Sequence, residues 1–335
     1  MHPKPRKDDY PSDMRLGVLD IGSNTVHLIV VDAYARARPD PIADERSVVR
    51  LMQYLESDGS INSDGVRELE RAARKASVFS QKNKVEATIG IVTSAIREAT
   101  NGPEVLERLE KIAGTKFGIL SGHEEAELTY FAARRWHGWA AGRIMVLDIG
   151  GGSFEVSLGI DEEPEFVASV PLGAGRLTKD FLKNDPPRAS ELVMLRREIE
   201  RELEPLAEAL AELPKPDHVV ATSKTFRSLA RLAGNRISVV GPEERRRMTR
   251  SDLGNWVGRI ARIPAASRVE LPGITPERTY QIVAGAEVAH LAMKMLKVKR
   301  LEICPWALRE GVLLDRIDSF EAMPRESGLD LSNLG

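Results

Sequence analysis

Four short stretches of this chain carry side chains able to hold and cleave a phosphate. Asp20-Ile21-Gly22-Ser23-Asn24-Thr25 and Asp148-Ile149-Gly150-Gly151-Gly152-Ser153 each end an apolar run in a carboxylate, then glycine and hydroxyl residues. Glycine brings backbone N–H groups close to a ligand, and successive N–H groups form an anion-binding nest. Thr93-Ser94 and Thr222-Ser223 close two further apolar runs just before helical segments. Hydroxyls and a helix N-terminus there favour an anion. Asp20 and Asp148 repel phosphate unless a cation lies between. A hard divalent ion, bound through one or two carboxylates plus water and phosphate, removes that conflict.

The four stretches form two pairs. Asp20 and Asp148 lie 128 positions apart, and Thr93 and Thr222 lie 129 apart. Each Thr-Ser pair leads into an arginine, Arg97 or Arg227. Two matches in order at nearly one offset predict an ancient duplication, with two similar domains facing each other across a cleft. The repeat is too long for a solenoid unit.

The surrounding pattern alternates strands and helices, which predicts an α/β protein. Apolar runs ending at glycine or Thr-Ser predict strands at 16–22, 27–32, 87–92, 116–120, 143–149, 154–159, 165–171, 218–222 and 300–304. Helical spacing covers 63–82, 95–99, 103–113, 121–136, 225–233 and 307–317. Residues 189–213 read as one long helix broken or kinked at Pro205. Residues 251–296 read as helical with interruptions at Pro264 and Leu271-Pro272-Gly273.

Composition narrows the class. The 335 residues are 42% hydrophobic and 29% charged, with a formal net charge of −2. These are ordinary values for a soluble protein and exclude a uniformly basic nucleic-acid coat. Length predicts two domains. Cys304 is the single cysteine, so neither an intrachain disulfide nor a cysteine zinc site is available, which fits a reducing cytoplasm. No apolar run is long enough to span a bilayer. Residues 1–13 and 321–335 read as loose polar tails.

With the motifs on the page, the chain resembles the exopolyphosphatase / guanosine pentaphosphate phosphohydrolase family. The two Asp-Ile-Gly loops carry the resemblance, together with Thr93-Ser94-Ala95-Ile96-Arg97, Ser121-Gly122-His123-Glu124-Glu125-Ala126 and Leu172-Gly173-Ala174-Gly175-Arg176. So do 271–285 and Ala307-Leu308-Arg309-Glu310-Gly311. The match runs over about residues 16–315. It implies two duplicated ribonuclease-H-like domains of the actin-like and sugar-kinase superfamily around an active-site cleft. The expected division is 14–128 and 129–320, with the last helix able to return to the first domain.

The resemblance also implies roles. Glu125 is expected to be the base that activates water. Its neighbour Glu124 has a separate structural task, because Ser121 and Glu124 fit a capping box. Asp148 and Glu155 are expected to act in catalysis and, with Asp20, to hold Mg2+, with Mn2+ as a substitute and a monovalent cation as an addition. Phosphate binding is expected at Gly22, Ser23, Asn24, Thr93, Ser94, Arg97, Gly150, Gly151, Gly152 and Ser153. Gly173, Ser223, Lys224 and Arg227 are expected beside the rest of the substrate. Lys224 departs from the family, which has glycine in that turn. It adds a cation and weakens the case for ordinary nucleotide binding. Trp306 is a second departure and reads as core.

The resulting expectation is release of terminal orthophosphate from inorganic polyphosphate, with guanosine pentaphosphate as the alternative substrate. A homodimer without nucleic-acid or membrane partners is expected. The rivals are an actin-like ATPase or small-molecule kinase, which needs an adenosine pocket, and a sensor of polyphosphate or guanosine tetra- and pentaphosphate that binds without turnover.

Overall fold

The structure is a computed structural model and describes residues 14–34, 37–237 and 245–322. The tails at 1–13 and 323–335 lie outside the described residues.

The first half is a five-stranded sheet built from β1 (Met14–Ile21), β2 (Thr25–Ala33), β3 (Ala43–Val48), β4 (Ala87–Val92) and β5 (Phe117–Ile119), in the order β3-β2-β1-β4-β5. Helices α1 (Ser63–Lys82), α2 (Ser94–Glu98), α3 (Gly102–Ala113) and α4 (Gly122–His137) accompany it. The second half holds β6 (Ile144–Ile149), β7 (Phe154–Gly159), β8 (Phe166–Val170), α5 (Ala174–Phe181), α6 (Ala189–Ala211), β9 (His218–Ala221) and α7 (Lys224–Ala233). It continues with β10 (Asn235–Ile237), β11 (Arg245–Thr249), α8 (Arg250–Ile260), α9 (Ala265–Arg268), α10 (Ile282–Met295), β12 (Arg300–Ile303) and α11 (Leu308–Ala322). Its sheet runs β10-β11-β12-β9-β6-β7-β8.

Within that second sheet, β8-β7-β6-β9-β12 repeats β3-β2-β1-β4-β5: an antiparallel three-strand meander followed by two parallel strands. The duplication is therefore present in the topology, not only in the motifs. Asp20 pairs across its hairpin with His27, and Asp148 pairs with Glu155.

Both sheets are covered on two faces, which is why their central strands are continuously apolar. On β1, Leu19 and Ile21 face the cluster under α1 and α3, whereas Leu16 and Val18 face Val312, Leu313 and Ile317 of α11. On β6, Met145, Leu147 and Ile149 join the large core beneath α6 and α10, whereas Ile144 and Val146 meet Tyr130 and Ala133 of α4. Helices α4 and α11 pack on each other between the two sheets. By strand alternation Asp20 and Asp148 lie on these inner faces.

Several boundaries depart from the sequence expectation. The division at 128/129 falls inside α4, which runs unbroken across it. The last helix packs on the first sheet and extends to Ala322, into the segment expected to be a loose tail. Helix α6 continues through Pro205 without a break. Strand β3 was invisible because Ala43-Asp44-Glu45-Arg46-Ser47-Val48 is a polar edge strand, and α5, β10 and β11 are short elements fixed by tertiary contacts.

Candidate active site

The two Asp-Ile-Gly loops, the two Thr-Ser turns and the first turns of α4 and α11 converge on one cavity of about 150 Å³. Its walls include Asp20, Gly22, Ser23, Asn24, Thr93, Ser94, Glu125, Asp148, Gly150, Gly151, Ser153, Glu155, Ser223, Lys224 and Arg227. Sequence reasoning nominated all of these.

The loops close tightly because their glycines touch. The Ser23 and Ser94 hydroxyls lie 2.8 Å apart. A Cβ on Gly152 would fall inside 3.0 Å of the Ser94 hydroxyl and of the Met52 methyl. A Cβ on Gly173 would strike the backbone of Gly152 and Ser153 at similar range. Gly152 and Gly173 are therefore spacers that let the first domain, the second glycine loop and α5 approach. Neither is among the residues that wall the cavity.

Buried carboxylates stand in the cavity wall. Asp20 is 7% exposed; its Oδ2 accepts from Arg309 Nη1 at 2.9 Å, and its Oδ1 has no partner. Asp148 Oδ2 accepts from the Thr222 hydroxyl. Glu155 Oε1 accepts from Ser169 Oγ at 2.9 Å. Burial pushes the Asp20 and Asp148 carboxyls above the usual range, and burial with Glu125 and Asp148 nearby lifts Glu155 well above it.

Glu125 stands on the first turn of α4, where a capping box sets the helix start. Glu124 N donates to Ser121 Oγ at 3.1 Å, and Ser121 N donates to Glu124 Oε2 at 2.7 Å. Glu124 is thereby committed, and Glu125 faces the cavity. Arg97 Nη1 donates to Glu125 Oε1 at 2.7 Å and also to the Leu120 carbonyl. Burial raises the Glu125 carboxyl to about 7; Arg97 opposes this, while Asp20 and Asp148 add to it. Arg97 was expected on phosphate. The structure instead aims it at Glu125, because α2 and α4 start side by side.

Cations share the same cavity. Lys224 finds no carboxylate or carbonyl partner among the described residues, and burial beside Arg46, Arg309, Arg278 and Arg227 lowers it to about 7. Arg278 is 7% exposed, its Nε is unpartnered, and burial lowers it to about 10. Burial likewise lowers Arg227. Sequence reasoning missed Thr129, Arg278 and Arg309 as cavity residues. Both arginines stand in family motifs, yet only the 289-residue span between Arg309 and Asp20 makes the pairing, and no local pattern reveals it.

The turn that carries lysine in place of glycine is strained one residue earlier. Ser223 sits at φ 59°, ψ 161°, a region nearly confined to glycine. Its hydroxyl caps α7 by accepting from Phe226 N at 3.3 Å. Strain there costs about 1–3 kcal/mol, whereas replacing a serine cap by glycine costs only a few tenths, roughly 0.3 kcal/mol. Ser223→Gly is therefore expected to raise the thermal midpoint by roughly 2–5 °C. A lower midpoint in differential scanning calorimetry would mean the cap outweighs the strain.

For a metal, the described residues show no group of three or more His, Cys, Asp or Glu side chains arranged as a cage. Asp20, Asp148 and Glu155 all line the cavity, and Arg309 occupies one oxygen of Asp20. Among the described residues no helix is long and apolar enough to cross a membrane. Trp306 packs edge-on against Trp136 at 5.2 Å between ring centres and does not line the cavity.

Known proteins resemble this chain in sequence and fold. The exopolyphosphatase 1 of Mycobacterium leprae is 46% identical over 306 residues, covering 91% of this chain and 90% of that protein. The guanosine-5'-triphosphate,3'-diphosphate pyrophosphatase of Vibrio parahaemolyticus is 25% identical over 90% of this chain and 59% of its own length. The crystal structure of the Aquifex aeolicus Ppx/GppA family member superposes with a TM-score of 0.73 at 26% identity, covering 92% of this chain and 99% of that one. An exopolyphosphatase from Cytophaga hutchinsonii shares the fold with a TM-score of 0.82 at 24% identity, covering 91% of this chain and 98% of that one. The family model described as the Ppx/GppA phosphatase family matches residues 29–320, and with that match the chain belongs to this family.

Proposed function

We propose that this protein is an exopolyphosphatase: it hydrolyses the terminal phosphoanhydride of inorganic polyphosphate and releases orthophosphate. The observation that carries the reading is the charged lining of a narrow cavity. Buried carboxylates that include a base near pH 7 share its wall with Lys224, Arg227 and Arg278, cations that form no ion pair with a described carboxylate. At about 150 Å³ the space suits phosphoryl groups. Pockets for drug-sized ligands begin near about 300 Å³, so a nucleoside has no seat inside it.

In this reading the terminal phosphoryl group lies among the N–H groups and hydroxyls of the two glycine loops, with Ser23, Ser94 and Ser153 as donors. Glu125 accepts a proton from water and aligns it for in-line attack. Arg97 holds the Glu125 carboxylate in place. Lys224, Arg227 and Arg278 take the remaining phosphates and stabilise the departing chain. Phosphoryl transfer depends mostly on such positioning and charge stabilisation.

A divalent ion fits the donor set. Asp148, Glu155 and the unpartnered Oδ1 of Asp20 are hard oxygen donors, and Mg2+ takes one or two carboxylates with water and phosphate completing its shell. Asp148, Glu155 and Asp20 are the residues that would hold it. Its contribution would be neutralisation of phosphate charge beside these carboxylates.

Lys224 supplies a specific check. A hydrogen bond to a charged group is worth about 1.5–3 kcal/mol. Lys224→Met is therefore expected to lower kcat/KM for polyphosphate by about 10- to 100-fold, mainly through KM. In the free protein this lysine loses its proton as pH rises through about 7. KM for the wild type should thus climb on the alkaline side, and the climb should vanish in the variant.

The test of the function is orthophosphate release with Mg2+ from polyphosphate, guanosine pentaphosphate and ATP in parallel. Polyphosphate is expected to give the highest kcat/KM. Preferential turnover of guanosine pentaphosphate would transfer the reading to that substrate, and release from none would refute it.

A further inference from the structure

A second cavity stands apart from the catalytic cleft. It has a volume of about 550 Å³ and opens at the opposite end of the second sheet. It is lined by the starts of β6, β9 and β12 and the ends of α6 and α10. Its floor is aliphatic and thioether: Met145, Leu158, Leu210, Met295 and Leu301. Its rim carries Lys215, Lys297, Lys299 and Arg300, none of which pairs with a carboxylate among the described residues.

The negative charge at that rim is already engaged. Glu302 pairs with Arg247 at 2.6 Å, and Asp217 Oδ2 accepts from the Arg143 backbone N–H at 2.8 Å. Four cations around an apolar floor match a ligand with an apolar body and several negative charges. A fatty-acid carboxylate would meet one cation, and inorganic phosphate would leave the floor empty. The volume lies within the range of pockets that enclose a small organic ligand.

We propose that this cavity is a second ligand site, for a nucleoside polyphosphate, with the base on the Met-Leu floor and the phosphates on the lysine and arginine rim. The same three strands connect it to the chemistry. Their far ends deliver Asp148 from β6, Thr222 to Lys224 after β9, and Ala307 to Arg309 after β12. A ligand that bridges their near ends therefore acts on the placement of a carboxylate, a lysine and an arginine of the cleft. The proposal does not depend on which substrate the cleft hydrolyses.

The experiment is calorimetric titration of full-length protein with the β,γ-imido analogues of ATP and GTP, with tripolyphosphate and with dodecyl phosphate. Titrations are run with the cleft filled by excess polyphosphate in the Glu125→Gln variant. One nucleotide per chain is expected to bind despite the filled cleft. Lys215→Glu with Lys299→Glu is expected to weaken it at least 10-fold while leaving polyphosphate turnover without nucleotide unchanged. Ala211→Phe, which fills the floor from the end of α6, is expected to weaken the nucleotides at least 10-fold and tripolyphosphate little. Displacement of the nucleotide by polyphosphate would overturn the proposal, as would undiminished affinity in both variants. Tripolyphosphate or dodecyl phosphate binding as tightly as the nucleotides would also overturn it.

Discussion

Replacing Glu125 by glutamine is expected to lower kcat for polyphosphate by about 10²- to 10⁴-fold, the usual contribution of a general base, with substrate binding retained. The geometry makes the substitution clean, because glutamine fills the same space on the first turn of α4 and the capping task belongs to Glu124. The same variant has a second, opposite signature. Glu125 is held at about 7 instead of 4.5 by burial, so the folded state binds this proton more tightly than the unfolded state. Stability from this group is then greatest below pH 4.5 and falls as pH rises through 7. Ionised and metal-free, it costs the fold on the order of 3 kcal/mol. Glu125→Gln should therefore melt higher than the wild type at pH 8 in chelator, and the difference should shrink towards pH 5. Near-normal turnover would remove Glu125 from the base role. A lower melting temperature at pH 8 would show that its bond with Arg97 outweighs its burial.

Gly173→Ala is expected to lower kcat/KM by about 10²-fold, although Gly173 does not line the cleft. The added methyl group would meet backbone atoms of Gly152 and Ser153, and backbone has no rotamer to turn aside. The second glycine loop must shift, and a displacement near 1 Å can cost about 10² in rate. Gly152→Ala makes an informative partner. Its nearest atoms are the ends of the Ser94 and Met52 side chains, which can rotate, so it should lose less. Equal activity of both variants with wild type, measured as orthophosphate release, would mean the loops are slack. Circular dichroism would separate a shifted loop from an unfolded domain.

The parts of this molecule that were legible in its sequence share a cause. Helix α1 spans the expected 63–82 because its apolar face repeats at helical spacing and Asn62 caps it by accepting from Gly65 N at 3.0 Å. Strands β4 and β7 match because their residues are buried or apolar and end at turn signals. The glycine loops were legible because turn and anion chemistry is local. What escaped was long-range. Polar β3 pairs only because β2 offers an edge. Arg309 reaches Asp20 because α11 returns to the first sheet. Arg97 meets Glu125 because two helix starts lie side by side. The resemblance assigned Arg97 to phosphate, and the third dimension pairs it with the base. At Ser223 a strained backbone takes the place of the missing glycine, a compromise that residue identity does not announce.

The most direct measurement resolves the products of a polyphosphate of defined length at early times, with Mg2+, by chain-length electrophoresis alongside an orthophosphate assay. Terminal attack in a cleft too small for an internal stretch of chain predicts orthophosphate and chains shorter by single units. Pyrophosphate or mid-length fragments as the first products would contradict it.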